Sequence, residues 1–256
     1  MEKPTDIGMN RTGIKASPID SKKTIEGARQ SKLVDPGDAT LLAEERMEWS
    51  NAAQPIGTMP PPGSVKGVVK TVMEKLKGKE PTVFLDKIGE RIAFERTGVR
   101  LYEALLCKLS AANLHAGGPT SAEVEQIREE ELQHFLLLKE SMETLGGDPT
   151  AMTPCADITA VASSGILKVL ADPRTTLTQC LDAILIAELV DNDAWLMLAD
   201  LADGLGMSEM AQRFRQALAE EEDHLTRVRG WLNAALLGQA GITPTRPQTQ
   251  ARPPAH

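Results

Sequence analysis

Cysteine is scarce and poorly spaced for chemistry. The chain of 256 residues has three, Cys107, Cys155 and Cys180, an odd number with no CxxC pair. That excludes a disulfide framework and a thiolate zinc site, and leaves the three to be read as small core residues. An apolar signal core is lacking too: the chain opens MEKPTDIGMN. Long apolar runs are missing. The nearest, Ile184 to Leu201, is broken by Glu188, Asp191, Asp193 and Asp200, so no transmembrane segment is expected. A reducing, cytoplasmic setting follows as the expectation. Aromatic residues are only 3%, with a single tyrosine. Apolar residues still reach 41% and charged residues 25%, ordinary globular usage, and Ala and Leu dominate the second half, so helices are the first expectation.

The net charge of −8 is unevenly spread. Residues 1–80 carry 13 Lys/Arg and 11 Asp/Glu, whereas residues 81–256 carry 15 and 25. So acidic a second part is a poor partner for nucleic acid and a reasonable one for cations.

Residues 1–80 read as an N-terminal extension. Charges, Ser, Thr and Pro mix there without a sustained period, with one helical stretch near Ala39–Ala52, and the mixture ends at Pro60-Pro61-Pro62-Gly63. Within the extension, residues 64–79 form a short amphipathic basic pattern with Val65, Val68, Val72 and Leu76 on one face. Docking on the chain's own core is the expectation for it, with a protein partner or a membrane surface as alternatives. Residues 81–238 hold four long helical patterns, about 83–112, 121–145, 177–205 and 208–237. Thr120-Ser121-Ala122-Glu123 is a capping box for the second, and Gly146-Gly147 stops it. Short links join the first pair and the last pair. About thirty residues separate the pairs, with a short helix expected near Asp157–Leu170. Short, long, short is the connectivity of an antiparallel four-helix bundle with one long crossover between helices two and three. Residues 239–256, polar and Pro-rich, read as a disordered tail.

Acids interrupt the apolar stripe of every long helix, at Glu95, Glu131, Glu188 and Glu221. A Glu on a buried stripe is costly unless it is paired or bound to a cation. Four of them, each about midway along its helix, point to a shared partner at the centre. Glu131-Leu132-Gln133-His134 and Glu221-Glu222-Asp223-His224 are both Glu-x-x-His, and residues i and i+3 project from one helix face. A Glu three before a given His arises by accident about one time in ten, and before both of two given His about one time in a hundred. The bland alternative is that the acidic runs Glu129–Glu131 and Glu220–Glu222 are solvated faces.

Two Glu-x-x-His motifs plus a Glu from each of two other helices resemble the ligand set of the ferritin-like di-iron or di-manganese carboxylate proteins. The resemblance covers roughly residues 83–237 and extends to Tyr102, seven after Glu95, where many ferritins and bacterioferritins carry a tyrosine near the metals. It implies an all-α, ferritin-like bundle holding two iron ions, with manganese as the alternative. Glu131 and Glu221 would bridge, Glu95 and Glu188 would be terminal ligands, and His134 and His224 would bind one ion each. Asp191, three after Glu188, is a further candidate carboxylate or an interhelical ion-pair partner; Tyr102 is a candidate catalytic residue or plain core. The implied activity is redox chemistry with dioxygen or peroxide, as an oxidoreductase or ferroxidase. A rubredoxin-type Cys cluster is lacking, which argues against peroxidase activity with a built-in electron donor. Iron storage in a homo-oligomeric shell is a rival, though the long tails depart from compact storage subunits. Manganese-dependent peroxide disproportionation is another, and a metal-free helical scaffold a third.

Overall fold

The computed structural model describes residues 5–6, 8–9, 12–13, 17–31, 39–61, 63, 81–112 and 116–242. The expected basic helix at 64–79 and most of the expected tail lie outside them. Seven α-helices and no strand occur among the described residues, so the chain is all-α.

The chain divides into two units. Residues 4–56 contain α1 (Pro18–Gln30) and α2 (Ala39–Ala52), neither with a buried residue. Helix α1 was not expected, because it has no apolar stripe. Local signals hold it instead: Pro18 in the first turn, where the missing N–H costs nothing, and a 2.6 Å hydrogen bond from Ser17 to Asp20.

The second unit contains α3 (Pro81–Ala111), α4 (Ser121–Thr144), α5 (Pro154–Ala171), α6 (Leu177–Gly204) and α7 (Ser208–Gln239). The starts of α4 and α6 are closed by capping boxes, Thr120 with Glu123 and Thr176 with Gln179. Gly146 and Gly206, with φ near +80°, end α4 and α6 in the left-handed conformation that glycine adopts without strain. Helix α3 packs on α4 and α6, and α7 packs on α6 and α4. Helix α5 runs beside α3. Its start is tied to Asp86, which accepts from Cys155 N at 2.9 Å, and the carbonyls after its end, at Asp172 and Thr175, accept from Lys108. The absent side chain of Gly89 lets Thr153 press onto α3: a Cβ there would lie 2.5 Å from the Thr153 hydroxyl. Helix α5 is long and apolar enough to cross a membrane by length and composition, although the sequence reading expected no span. It buries Ala156, Ser163 and Leu170 and exposes Ile158 and Val161.

Two apolar clusters fill the interior. One gathers Leu101, Leu105, Ile127, Leu181, Ile184 and Val228; the other gathers Phe84, Ile88, Leu138, Trp195, Leu198 and Phe214. On α4, α6 and α7 the acids of the stripe fall between the segments that build the two clusters; on α3, Glu95 follows Ile92 of the second cluster and, directly, Phe94 of the first. Of the cysteines, only Cys180 is fully buried; Cys107 is exposed, contrary to its reading as a core residue.

Candidate metal centre

Four helices deliver the polar layer. Helix α3 supplies Arg91, Glu95, Gly98 and Tyr102, spaced four, three and four apart and therefore on one face. Helix α4 supplies Glu130, Glu131 and His134; α6 supplies Glu188, Asp191, Asn192 and Trp195; α7 supplies Glu220, Glu221 and His224. All eight residues expected at the centre are brought together. Glu95, Glu131, His134, Glu188, Asp191, Glu221, His224 and Tyr102 are each at most 2% exposed. Bringing so many carboxylates out of water is costly unless cations meet them.

The ligand-type atoms form overlapping sets, each within 4.8 Å: Glu95, His134 and Glu221; Glu131, Glu188 and His224; and Glu95, Glu131, Asp191 and Glu221. Glu221 reaches both rings, with Oε1 2.7 Å from His134 Nδ1 and Oε2 3.3 Å from His224 Nδ1. Neither approach has hydrogen-bond geometry. Seven buried atoms of this layer have no hydrogen-bond partner: Glu95 Oε2, Glu131 Oε2, Glu188 Oε2, both oxygens of Glu221, and Nδ1 of His134 and His224. Among the described residues, the other buried side-chain atoms in that condition are Arg91 Nε and Trp195 Nε1, on the same layer. Buried polar atoms without a partner are rare in proteins, and the residues that carry these seven fall in the oxygen- and nitrogen-rich groups that could hold a metal ion.

The outer nitrogens of the rings are held crosswise. His134 Nε2 lies 2.8 Å from Glu220 on α7, and His224 Nε2 lies 2.8 Å from Glu130 on α4. A carboxylate on the far nitrogen orients a ligating imidazole and raises its basicity. Asn192 donates to the backbone carbonyls of Glu188 and Glu221, both at 3.0 Å, and so ties α6 to α7 beside the site. Arg91 is ion-paired with Asp191 and, at 2.6 Å, with Glu95, and its guanidinium lies over the Phe94 ring. The Tyr102 hydroxyl donates to Glu188 Oε1. Gly98 makes room for Glu131, because a Cβ there would lie 2.1 Å from Glu131 Oε2. A cleft of about 680 Å³ between α3 and α6 is lined by Phe84, Lys87, Leu198 and Leu201, and also by Arg91, which thus borders both it and the carboxylates.

The charges strain one another. Burial raises the Glu188 carboxyl to about 8, helped by the Glu221 charge. Burial and the neighbouring Glu221 and Glu95 push Glu131 well above the usual range. Glu95 is raised by burial against the pull of Arg91. For both rings, burial opposes the charged form, but the facing carboxylates, Glu221 foremost, outweigh it and bring each to about 9. Burial also works against the Glu221 charge, yet the two rings hold that carboxyl down at about 2. Burial and the Glu188 charge raise the Tyr102 phenol well above its ordinary value. Without cations, burial draws Glu95, Glu131 and Glu188 towards their neutral forms, while Glu221 draws the two rings towards their charged forms.

Comparison with family models, curated proteins and solved structures finds no match. The chemistry therefore rests on the residues themselves. Sequence reasoning missed Arg91, Gly98, Asn192, Glu130 and Glu220. A signal existed for the last two: each Glu-x-x-His is preceded by another Glu, which makes Glu-Glu-x-x-His twice over.

Proposed function

We propose that this chain is a ferritin-like di-metal carboxylate protein that holds two iron ions and performs redox chemistry with dioxygen or peroxide, as an oxidoreductase or ferroxidase. In this reading α3, α4, α6 and α7 are an antiparallel four-helix bundle, and α5 lies within its long crossover. The observation that carries the proposal is that seven unpartnered, buried carboxylate and imidazole atoms belong to residues clustered within ligand distance of one another.

The donor set fits two divalent ions. Four carboxylates carry four negative charges, and two neutral imidazoles add none. Glu95, His134 and Glu221 would hold one ion, and Glu131, Glu188 and His224 the other. Glu221 presents one oxygen towards each ring and would be shared by the two ions, and Glu131, which belongs to two of the ligand groups, would be the other shared carboxylate. Glu95 and Glu188 would each serve one ion. A bound iron pair would supply electrons to dioxygen or peroxide, one from each ion. Glu220 and Glu130 hold the rings in the orientation that directs Nδ1 inward. The Tyr102 hydroxyl keeps one oxygen of Glu188 engaged. The flanking apolar clusters limit bulk water around the layer. Manganese fits the same oxygen-rich set and is the alternative ion.

A cytoplasmic site of action is part of the proposal. So is a homo-oligomer, supported by the exposed Ile186, Leu189, Val190, Leu196 and Met197 on α6. The protein partner assigned to residues 1–80 stays a proposal of its own.

The test is metal analysis after anaerobic purification and reconstitution with ferrous iron. About two ions per chain are expected, and His134→Ala and His224→Ala should each sharply reduce occupancy. Wild-type protein that takes up neither iron nor manganese would leave the metal-free scaffold as the reading.

A further inference from the structure

Glu95 and Glu188 share one arrangement. Each has one carboxylate oxygen occupied and one left over. Arg91 donates to Glu95 Oε1 at 2.6 Å, and the Tyr102 hydroxyl donates to Glu188 Oε1. Oε2 of both is unpartnered. Each terminal carboxylate thus offers one oxygen to the centre.

The two donors differ in charge. Arg91 is a cation, 2% exposed, whereas Tyr102 is a neutral phenol. Both bonds end on a carboxylate, but only Arg91 brings a full positive charge, which lowers the electron density its acceptor can offer to a cation. Arg91 has a second partner, Asp191. Asp191 has an oxygen within 4.8 Å of those of Glu95, Glu131 and Glu221, near enough to serve as a fifth carboxylate of the centre. Its charge is instead met by Arg91.

We propose that Arg91 is a positioning residue that makes the two ion positions unequal: it weakens Glu95 as a donor and keeps Asp191 paired outside the ligand set, so the ion on the Glu95–His134 side is the more loosely held. The inference rests on the di-metal reading above. Arg91 also lines the cleft between α3 and α6, so the looser position is the one beside that cleft. The phenol on the other side leaves Glu188 the stronger donor.

The experiment is an anaerobic titration of the full chain with Mn²⁺, followed by calorimetry and by the electron-paramagnetic-resonance signal of free Mn²⁺. Wild type should bind in two steps whose dissociation constants differ by about ten-fold or more, the size of effect that outer partners of ligands exert. The double variant R91Q/D191N removes the buried ion pair together and should merge the steps by tightening the weaker one. Arg91→Lys keeps the cation and should keep the separation. Tyr102→Phe frees Glu188 and should widen it. Should R91Q/D191N lose its helical circular dichroism, Asp191→Asn alone decides: it leaves the Arg91 charge on Glu95 and should widen the gap. Two equal steps in wild type, or a separation unmoved by these substitutions in folded protein, would overturn the role of Arg91 and leave the di-metal reading standing. A wild-type chain that binds neither Mn²⁺ nor Fe²⁺ would overturn both.

Discussion

Gly98→Ala should separate the needs of the helix from the needs of the centre. In an α-helix interior, Ala is better than Gly by about 1 kcal/mol. At position 98 the added methyl would lie 2.1 Å from Glu131 Oε2 and 2.7 Å from its Cδ. Ordinary contact needs a separation above about 3.4 Å, so the carboxylate must move by more than about an ångström. Glu131 is the end of a flexible side chain, so in metal-free protein the movement is cheap. The metal-free variant should therefore be more stable than wild type by about 1 kcal/mol, a rise of about 2–4 °C in melting temperature. A metal ligand tolerates only about 0.2 Å of displacement. Losing Glu131 should then cost at least about 100-fold in affinity, or about 2.7 kcal/mol. The assay is a melting curve with and without ferrous iron under argon, alongside an Mn²⁺ titration. A Gly98→Ala variant that binds two ions with wild-type affinity would refute the reasoning, because Glu131 could not then be a ligand in its observed position.

Glu95→Leu should likewise act oppositely in the two forms: a higher melting temperature without metal, and a smaller metal-induced shift. A variant less stable without metal, yet with an undiminished shift, would make Glu95 a partner of Arg91 and no ligand. The pH response of the metal-free protein follows from the raised groups. Between the unfolded carboxylate value near 4.5 and about 8, native Glu188 binds more protons than the unfolded chain; between 6.5 and about 9, so do the two rings. Stability from these groups is thus lost as pH rises, and thermal melting of metal-free protein should fall from pH 5 towards 9. Metal uptake must expel those protons, so affinity should rise over the same range, and binding in weakly buffered solution at pH 7 should acidify it; uptake without proton release would contradict the assignment. Deleting residues 1–56 should leave the helical dichroism of the remainder and its metal stoichiometry unchanged, since α1 and α2 bury nothing.

The legible part of this protein is the part with a period. Long stripes gave α3, α4, α6 and α7 to within a few residues, and the acids that broke the stripes pointed inward as expected. Thr120 and Gly146 marked the ends of α4 because capping is local chemistry. Helix α1 was invisible for the opposite reason: it has no buried face, and its stability is written in Ser17, Pro18 and Asp20. Arg91 escaped because an arginine four before a glutamate looks like a surface ion pair. Only its partner on α6, 100 residues away, reveals it as buried. Gly98 escaped because the sequence does not say what a missing Cβ would have touched. Asp191 was read as ligand or ion-pair partner, and the choice could be narrowed only once Arg91 was in place.

The crosswise clamps on the rings have a consequence for how the protein tolerates change. Glu130 and His134 share α4, Glu220 and His224 share α7, yet each glutamate serves the histidine on the other helix. Sliding either helix by one residue, about 1.5 Å along its axis, would break both clamps at once. Damage to one should therefore already spend much of what damage to the second could do. Glu130→Gln and Glu220→Gln should be strongly non-additive in a double-mutant cycle, although the two side chains lie on different helices and serve different rings. The pair behaves as one fastening that the sequence writes in two places.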